Sequence, residues 1–290
     1  MTLPNRRNFI ETCAAGAGAS LVGGLLRADE PVEAKFSLKG RIRKAVKYHM
    51  VTGDLSVLDK FKLLKDLGYD GVEPRVPSAK GSSDRKEMLK ASEVTDLPIH
   101  GVINSSNPDI KSAIDAAKYY GATSVLLVVP ANPRGSYLEN YKVRQDIVRE
   151  AVPHAEKLEV QLLIENVWAS FLNEPLSMAK FIDELGSPMV GAYFDVGNNI
   201  RWGYAEHWIE VLAHRIGKLD IKEYSRKLQN DRGLRAGFDV EIGEGSVDWP
   251  RVREELLKID FQGWATAEVK GGDRARLAEI ATRMDQVLEL

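Results

Sequence analysis

From residue 41 to the C-terminus, short apolar runs alternate with segments of helical spacing eight times over. The runs fall at about 42–50, 70–75, 98–104, 123–130, 160–167, 189–196, 216–223 and 263–269, with VLLVVP and LLIENV the clearest. Apolar and β-branched clusters of this length read as buried strands. Between them, Leu58, Phe61, Leu64 and Leu67 keep a helical period, as do Ile114, Ala117 and Tyr120, and then Trp208, Val211 and Leu212. Gly68, Gly121 and Gly186 stand just before strands, where a left-handed helix stop is expected. Asp54, Ser82 and Asn107-Pro108 offer helix starts. This repeat predicts an α/β fold, a single-domain (β/α)8 TIM barrel, which typically needs about 250 residues. A doubly wound open sheet is the alternative, but KYHMVTGD after the first strand lacks its glycine-rich phosphate loop.

Four of the apolar runs close on an acid: Glu165 in QLLIENVW, Asp195 in VGAYFDVGN, Asp220 in IGKLDIKEY and Glu268 in GWATAEVKGG. A carboxylate at the end of a buried strand is costly unless compensated. In a barrel these are the C-terminal ends of strands five to eight, where TIM-barrel chemistry sits. A divalent metal ion held by carboxylate oxygens is the simplest compensation. Hard oxygen donors favour Mg, Mn or Ca, and they also accept Zn or Co. The bland reading of each acid is a cap on the next helix. Four negative charges against two positive would need nearby cations or a retained proton. Lys222 and Lys270 each lie two residues beyond an acid, on the same strand face, and Arg226 follows closely. Glu165 and Glu268 together form a pair able to move a proton between adjacent carbons of a metal-bound sugar through an enediolate.

Other positions carry two readings each. Glu73 in GVEPR either contacts substrate or braces the mouth with Arg75, and His100 in PIHGVIN is a substrate contact or a hydrogen-bonded neighbour. His49, at the end of the first run, has the same ambiguity. Trp168 and Trp202 either stack on a sugar face or pack the rim. Residues 224–246, the longest break between a strand and its helix, have the length of a functional lid.

Composition narrows the partners. The chain has 290 residues and a formal charge of −2, without a basic stripe interleaved with aromatics, so nucleic acid is not an expected partner. The one cysteine, Cys13, excludes an internal disulfide and a cysteine-based metal site. Residues 1–28 have a different character: Arg6-Arg7, an Ala/Gly-rich apolar stretch, then Asp29-Glu30. This is the layout of a twin-arginine-like export signal, too short and glycine-rich for a comfortable membrane span. The expected organisation is a signal over 1–28, a linker over 29–40 and the barrel over 41–290, with a periplasmic mature chain near −4. The bland alternative is an amphipathic N-terminal helix. Association of outer helices into a homo-oligomer stays open.

The ordered set IENVW, YFDVGNNIRWG, LDIKEYSR and TAEV resembles the xylose-isomerase-like sugar phosphate isomerase/epimerase family over about residues 41–290. The resemblance implies a metal-dependent barrel whose members isomerise or epimerise sugars, dehydrate inososes or cleave 3-keto glycosides. A related branch repairs DNA. It matches Glu165, Asp195 and Glu268 to the family's metal-binding acids and Glu165 with Glu268 to its proton-transfer pair. Asp220 stands where the family motif carries histidine. Arg226 falls at a substrate-binding arginine, and Asn198 replaces a histidine that some epimerases place on substrate. The expectation is therefore a carbohydrate isomerase or epimerase. Catalysis would rest on Glu165 and Glu268, with Glu165, Asp195, Asp220 and Glu268 on a metal (Mn, Mg, Co or Zn). Substrate contacts would come from Glu73, His100, Trp168, Asn198, Lys222 and Arg226. A lyase or hydratase on a 3-keto glycoside or inosose, or a non-catalytic sugar-binding barrel, are the competing readings.

Overall fold

A computed structural model describes residues 37–76, 83–105, 109–169 and 171–290. Eight strands are present: β1 (Ile42–Lys47), β2 (Gly71–Glu73), β3 (Val102–Asn104), β4 (Ser124–Leu127), β5 (Gln161–Glu165), β6 (Val190–Asp195), β7 (Ile216–Ile221) and β8 (Gly263–Ala267). They form one parallel sheet in the order β2-β1-β8-β7-β6-β5-β4-β3. Single parallel bridges, Val72 with Ile99 and Arg75 with Ile103, draw β2 towards β3 and bring the sheet nearly to closure. The architecture is the (β/α)8 barrel that the eightfold repeat predicts.

Nine helices surround the sheet among the described residues: α1 (Val57–Asp66), α2 (Arg85–Thr95), α3 (Ile110–Tyr120), α4 (Tyr137–Leu158), α5 (Pro175–Asp183), α6 (Ala205–Leu212), α7 (Arg226–Arg232), α8 (Trp249–Lys258) and α9 (Arg274–Leu288). Helical spacing works as expected: Phe61 and Leu64 of α1, and Trp208 and Leu212 of α6, are buried against the strands. Gly68, Gly121 and Gly186 take φ of 76°, 71° and 67°, the left-handed stop that a β-carbon disfavours. The α1 start lies at Ser56 rather than Asp54, since the Ser56 hydroxyl accepts from Asp59 N (3.1 Å). Asp84 and Asp109 cap α2 and α3. Ser82 and Asn107-Pro108 lie outside the described residues.

The expected export signal over residues 1–28 also lies outside the described residues. Leu38, placed in the linker by sequence, is buried, and its carbonyl accepts from Arg41 N and Ile42 N, so core packing begins before residue 41. No helix among the described residues is long and apolar enough to cross a membrane.

Two layers of packing position the mouth. Most apolar side chains fill the space between strands and helices, while Ile103, Leu126, Leu163 and Tyr193 form a smaller cluster inside the barrel. The segment 224–246 is folded over the mouth as α7 and a 3-10 turn at Leu234–Phe238. The buried Glu223 carboxylate holds this roof down: it accepts from Tyr224 N (3.0 Å), Gly243 N (3.0 Å), Val247 N (3.1 Å) and Trp249 Nε1 (2.9 Å). Gly245 packs so close that a β-carbon there would come within 2.4 Å of that carboxylate.

Candidate active site

Glu165 ends β5, Asp195 ends β6, Asp220 lies in β7 and Glu268 directly follows β8. Asp195 and Asp220 face each other across the β6–β7 ladder, an arrangement of like charges that a sheet resists. One carboxylate oxygen from each of the four acids lies within 4.8 Å of the other three. Asp195 and Asp220 are fully buried, Glu165 nearly so, and Glu268 is the most open.

Two lysines enter this cluster. Lys47, at the end of β1, donates to Asp220 Oδ2 (2.8 Å) and Glu268 Oε1 (2.7 Å). Lys222 Nζ stands 2.8 Å from Asp195 Oδ2 and 2.7 Å from Glu268 Oε2, at ion-pair distance but without hydrogen-bond alignment. It also donates to Asn198 Oδ1 (3.2 Å). Asn198 Nδ2 donates in turn to Glu165 Oε1 (3.3 Å) and Asn166 O (3.0 Å). Asp195 is fixed by Gly197 N (2.8 Å) and Asn198 N (2.9 Å) on Oδ1, and Asn166 brackets its backbone. These contacts set the rotamers of the acids before any ligand arrives.

The protonation pattern follows from burial and charge count. Burial, reinforced by the Glu268 charge, lifts Glu165 to about 8. Burial also raises Asp220 well above the usual carboxylate range, against the pull of Lys47. Glu268 goes the other way: burial opposes its ionisation, but Lys47 and Lys222 hold it well below the ordinary value. Both lysines are held charged by the acids around them, despite burial.

The donor set fits a divalent cation. Four hard oxygens converge, Asp220 Oδ1 is buried with no hydrogen-bond partner, and four carboxylates face only two ammonium groups, leaving two positive charges wanting. Soft or nitrogen donors are lacking in the cluster, which disfavours a tetrahedral thiolate or imidazole site.

A cavity of about 580 Å³ opens above the cluster, and Glu165, Glu268, Lys222, Asn198 and Trp168 line it. Trp168 Nε1 donates to Asn198 O (2.5 Å), and its ring meets Phe238 of the roof at 4.9 Å between centroids. Lys270 and Arg235 stand at the rim.

The remaining sequence candidates lie elsewhere. Glu73 and His100 are sealed inside the barrel, below the cavity. Tyr193 OH donates to Glu73 Oε2 (3.1 Å), while His100 stacks on Trp264 at 4.4 Å and meets Thr266 Oγ1 (3.2 Å) and Lys218 Nζ (3.1 Å). Burial lowers Lys218 to about 7 and keeps His100 neutral. Arg226 turns its guanidinium outward from the cavity, donating from Nε to Ile200 O (2.8 Å) and from Nη2 to Gly203 O. His49 sits in a 3-10 turn after β1 with its side chain exposed.

Sequence reasoning passed over Lys47 and Asn166. Lys47 has the same signal as the acids, a charge closing the otherwise apolar end of a strand.

A nearly closed parallel barrel with a buried carboxylate cluster at its C-terminal mouth defines a TIM-barrel protein whose four acids could together hold a metal ion. The family model described as xylose isomerase-like TIM barrel matches residues 61–288, and the chain belongs to that family. It is 30% identical over 116 residues to SgbU of Escherichia coli (strain K12), named for an inferred L-ribulose-5-phosphate 3-epimerase activity, a match spanning 39% of each chain. It is 22% identical over 253 residues to a 2-oxo-tetronate isomerase of Pectobacterium atrosepticum, covering 77% of this chain and 90% of that one. Among solved structures, D-allulose 3-epimerase from Methylomonas sp. superposes with a TM-score of 0.69 at 16% identity, over 86% of this chain and 98% of the other.

Proposed function

We propose that this protein is a metal-dependent sugar isomerase or epimerase that moves a proton between carbons of a carbohydrate through an enediolate. The observation that carries the reading is the placement of Glu165 and Glu268 on the floor of one cavity, inside a cluster fit for a divalent cation. Glu165, Asp195, Asp220 and Glu268 would hold the ion; when bound, it would supply electrophilic stabilisation of the developing oxyanion. Mn, Mg, Co and Zn are the candidates.

The residues divide the work by environment. Glu165 is poised near neutrality, at about 8, where a carboxylate both takes and returns a proton. Glu268, held ionised by two lysines, is the partner base on the other side of the cavity floor. Lys222 and Asn198 face the bound sugar and orient its hydroxyls, and Trp168 presents an apolar face to its C–H bonds. The roof of Phe238 and its neighbours keeps bulk water from the intermediate. The relatives named for isomerase and epimerase activities support the same reaction class. The N-terminal twin-arginine-like segment supports export to the periplasm.

The test is solvent exchange. Metal-loaded protein incubated with free ketoses in D2O should introduce deuterium at a sugar carbon and yield a rearranged sugar, and Glu165→Gln should abolish both while leaving the fold intact. Release of a leaving group from a 3-keto glycoside would instead make it a lyase. Exchange surviving in Glu165→Gln would sink the proton-transfer assignment.

A further inference from the structure

A second cavity, about 300 Å³ in volume, opens at the same end of the barrel, between the connections that follow β5 and β6. Trp202 forms part of its wall. Trp168, which lines the first cavity, meets Trp202 at 5.4 Å between ring centroids, so the tryptophan pair is a partition shared by both spaces. The consecutive residues Asn198 and Asn199 line one cavity each. Since neighbouring α-carbons stand about 3.8 Å apart, the two spaces are one residue from each other.

Three observations mark this cavity as built for a ligand. Asn199 is 5% exposed, yet its Nδ2 has no hydrogen-bond partner. Trp202 and Tyr204 are 58% and 49% exposed but are not loose. The Arg201 guanidinium lies 4.1 Å over Trp202, and Arg226 lies 4.9 Å over Tyr204 while donating to the carbonyls of Ile200 and Gly203. The Asn199 carbonyl closes the loop by accepting from Trp202 N (3.1 Å) and Gly203 N (2.9 Å). Exposed rings held this firmly are preorganised for contact. On the opposite rim, Leu172 adopts φ of 53°, a strained conformation for a leucine, immediately before Asn173 and Glu174 of the cavity wall.

The chemistry of the wall selects the occupant. Aromatic faces suit the C–H face of a sugar ring, the asparagine amides suit its hydroxyls, and Glu174 offers carboxylate oxygens fixed by Leu176 N (2.9 Å) and Ser177 N (2.5 Å). Among the described residues the wall holds His207 and Glu174 but no lysine or arginine, and the nearby Arg201 and Arg226 are laid against the Trp202 and Tyr204 rings, a setting that suits a neutral ligand better than a phosphate. We propose that this cavity binds a second, neutral sugar ring. The substrate is therefore a glycoside that places its reacting ring over the carboxylates and its other ring beyond the tryptophan partition. This rests on the isomerase reading for the reacting ring, but not for the second one.

Binding without turnover separates the two. Isothermal titration of the full-length protein with glucose, fructose, cellobiose, maltose and sucrose should show at least one disaccharide binding tenfold or more tightly than either monosaccharide. Trp202→Ala and Asn199→Ala should each erase that advantage while leaving monosaccharide affinity unchanged. Absence of any disaccharide advantage, or its persistence in both variants, overturns the proposal. So does a change in sedimentation of Trp202→Ala that reveals a second copy of the chain on this face. Loss of deuterium exchange alone would sink the isomerase reading and leave this one standing.

Discussion

The ammonium of Lys47 lies 2.8 Å from Asp220 Oδ2, with the side chains 1% and 0% exposed. It ties one oxygen of the aspartate and leaves Oδ1 without a partner, turned into the cluster. A full buried pair is not itself a source of stability, because desolvation of both charges offsets their attraction. Breaking one is costly. Lys47→Met should destabilise the metal-free protein at pH 7 by about 3–5 kcal/mol, since Asp220 and Glu268 both lose a donor. Lys47→Met with Asp220→Asn should recover a large part of the loss. Urea denaturation of the four proteins measures it, and a Lys47→Met value within 1 kcal/mol of the parent contradicts the assignment.

Metal uptake should be coupled to proton release. Glu165, at about 8, is the acid that holds a proton in the metal-free protein near neutral pH, while burial raises Asp220 above the usual carboxylate range against the pull of Lys47. A divalent ion must displace the protons of its ligands, so affinity rises with pH and flattens once Glu165 is ionised. Titration in buffers of different ionisation enthalpy at pH 7 should report a release of about one proton. Glu165→Gln should remove it and weaken the pH slope. A pH-independent affinity between 6 and 8 would show that these carboxylates do not hold the metal.

Much of the fold was legible because each strand carries a local signal that survives tertiary context: an apolar run, then a glycine stop or a polar cap. The cluster was legible for a related reason. Topology turns the ends of consecutive strands into neighbours, so Glu165, Asp195, Asp220 and Glu268 had to converge once the barrel was assumed. What sequence could not supply was side-chain direction beyond the strand ends. Glu73 closes β2 and His100 stands just before β3, yet both point into the sealed interior with Tyr193 and Lys218. Arg226 sits in the first turn of α7, where rotamer choice alone decides whether it meets the cavity or the carbonyls of the β6–α6 loop. Lys47 was overlooked because a lysine at a strand end reads as solvated until a charged partner is known.

In the proposed mechanism Asn198 tunes Glu165. Its amide donates to Glu165 Oε1, and a donor to a carboxylate favours the ionised form. Asn198→Ala should therefore move the ionisation of Glu165 upward, and the limb of the pH–rate profile assigned to this group should shift to higher pH. The same variant frees Lys222 from one acceptor, so substrate KM should change together with the profile. An unmoved limb would mean that the hydrogen bond does not form in the working enzyme.

Glu223 tests the roof independently of the chemistry. Four donors converge on its carboxylate from both ends of the segment that covers the cavity. Hydrogen bonds to a charged group contribute about 1.5–3 kcal/mol each, and they are not additive when they share one acceptor. Glu223→Ala should leave the barrel folded, because the strand pairing does not depend on it. The segment 224–247 should open on a faster timescale, with early proteolytic cleavage there and hydrogen exchange of Gly243 and Val247 amides rising by an order of magnitude or more. Because Phe238 on this roof lines the reaction cavity, KM should rise more than kcat falls at first. Cleavage and exchange indistinguishable from the parent would show that the aromatic contacts of Tyr224 with Phe238 hold the roof without the carboxylate.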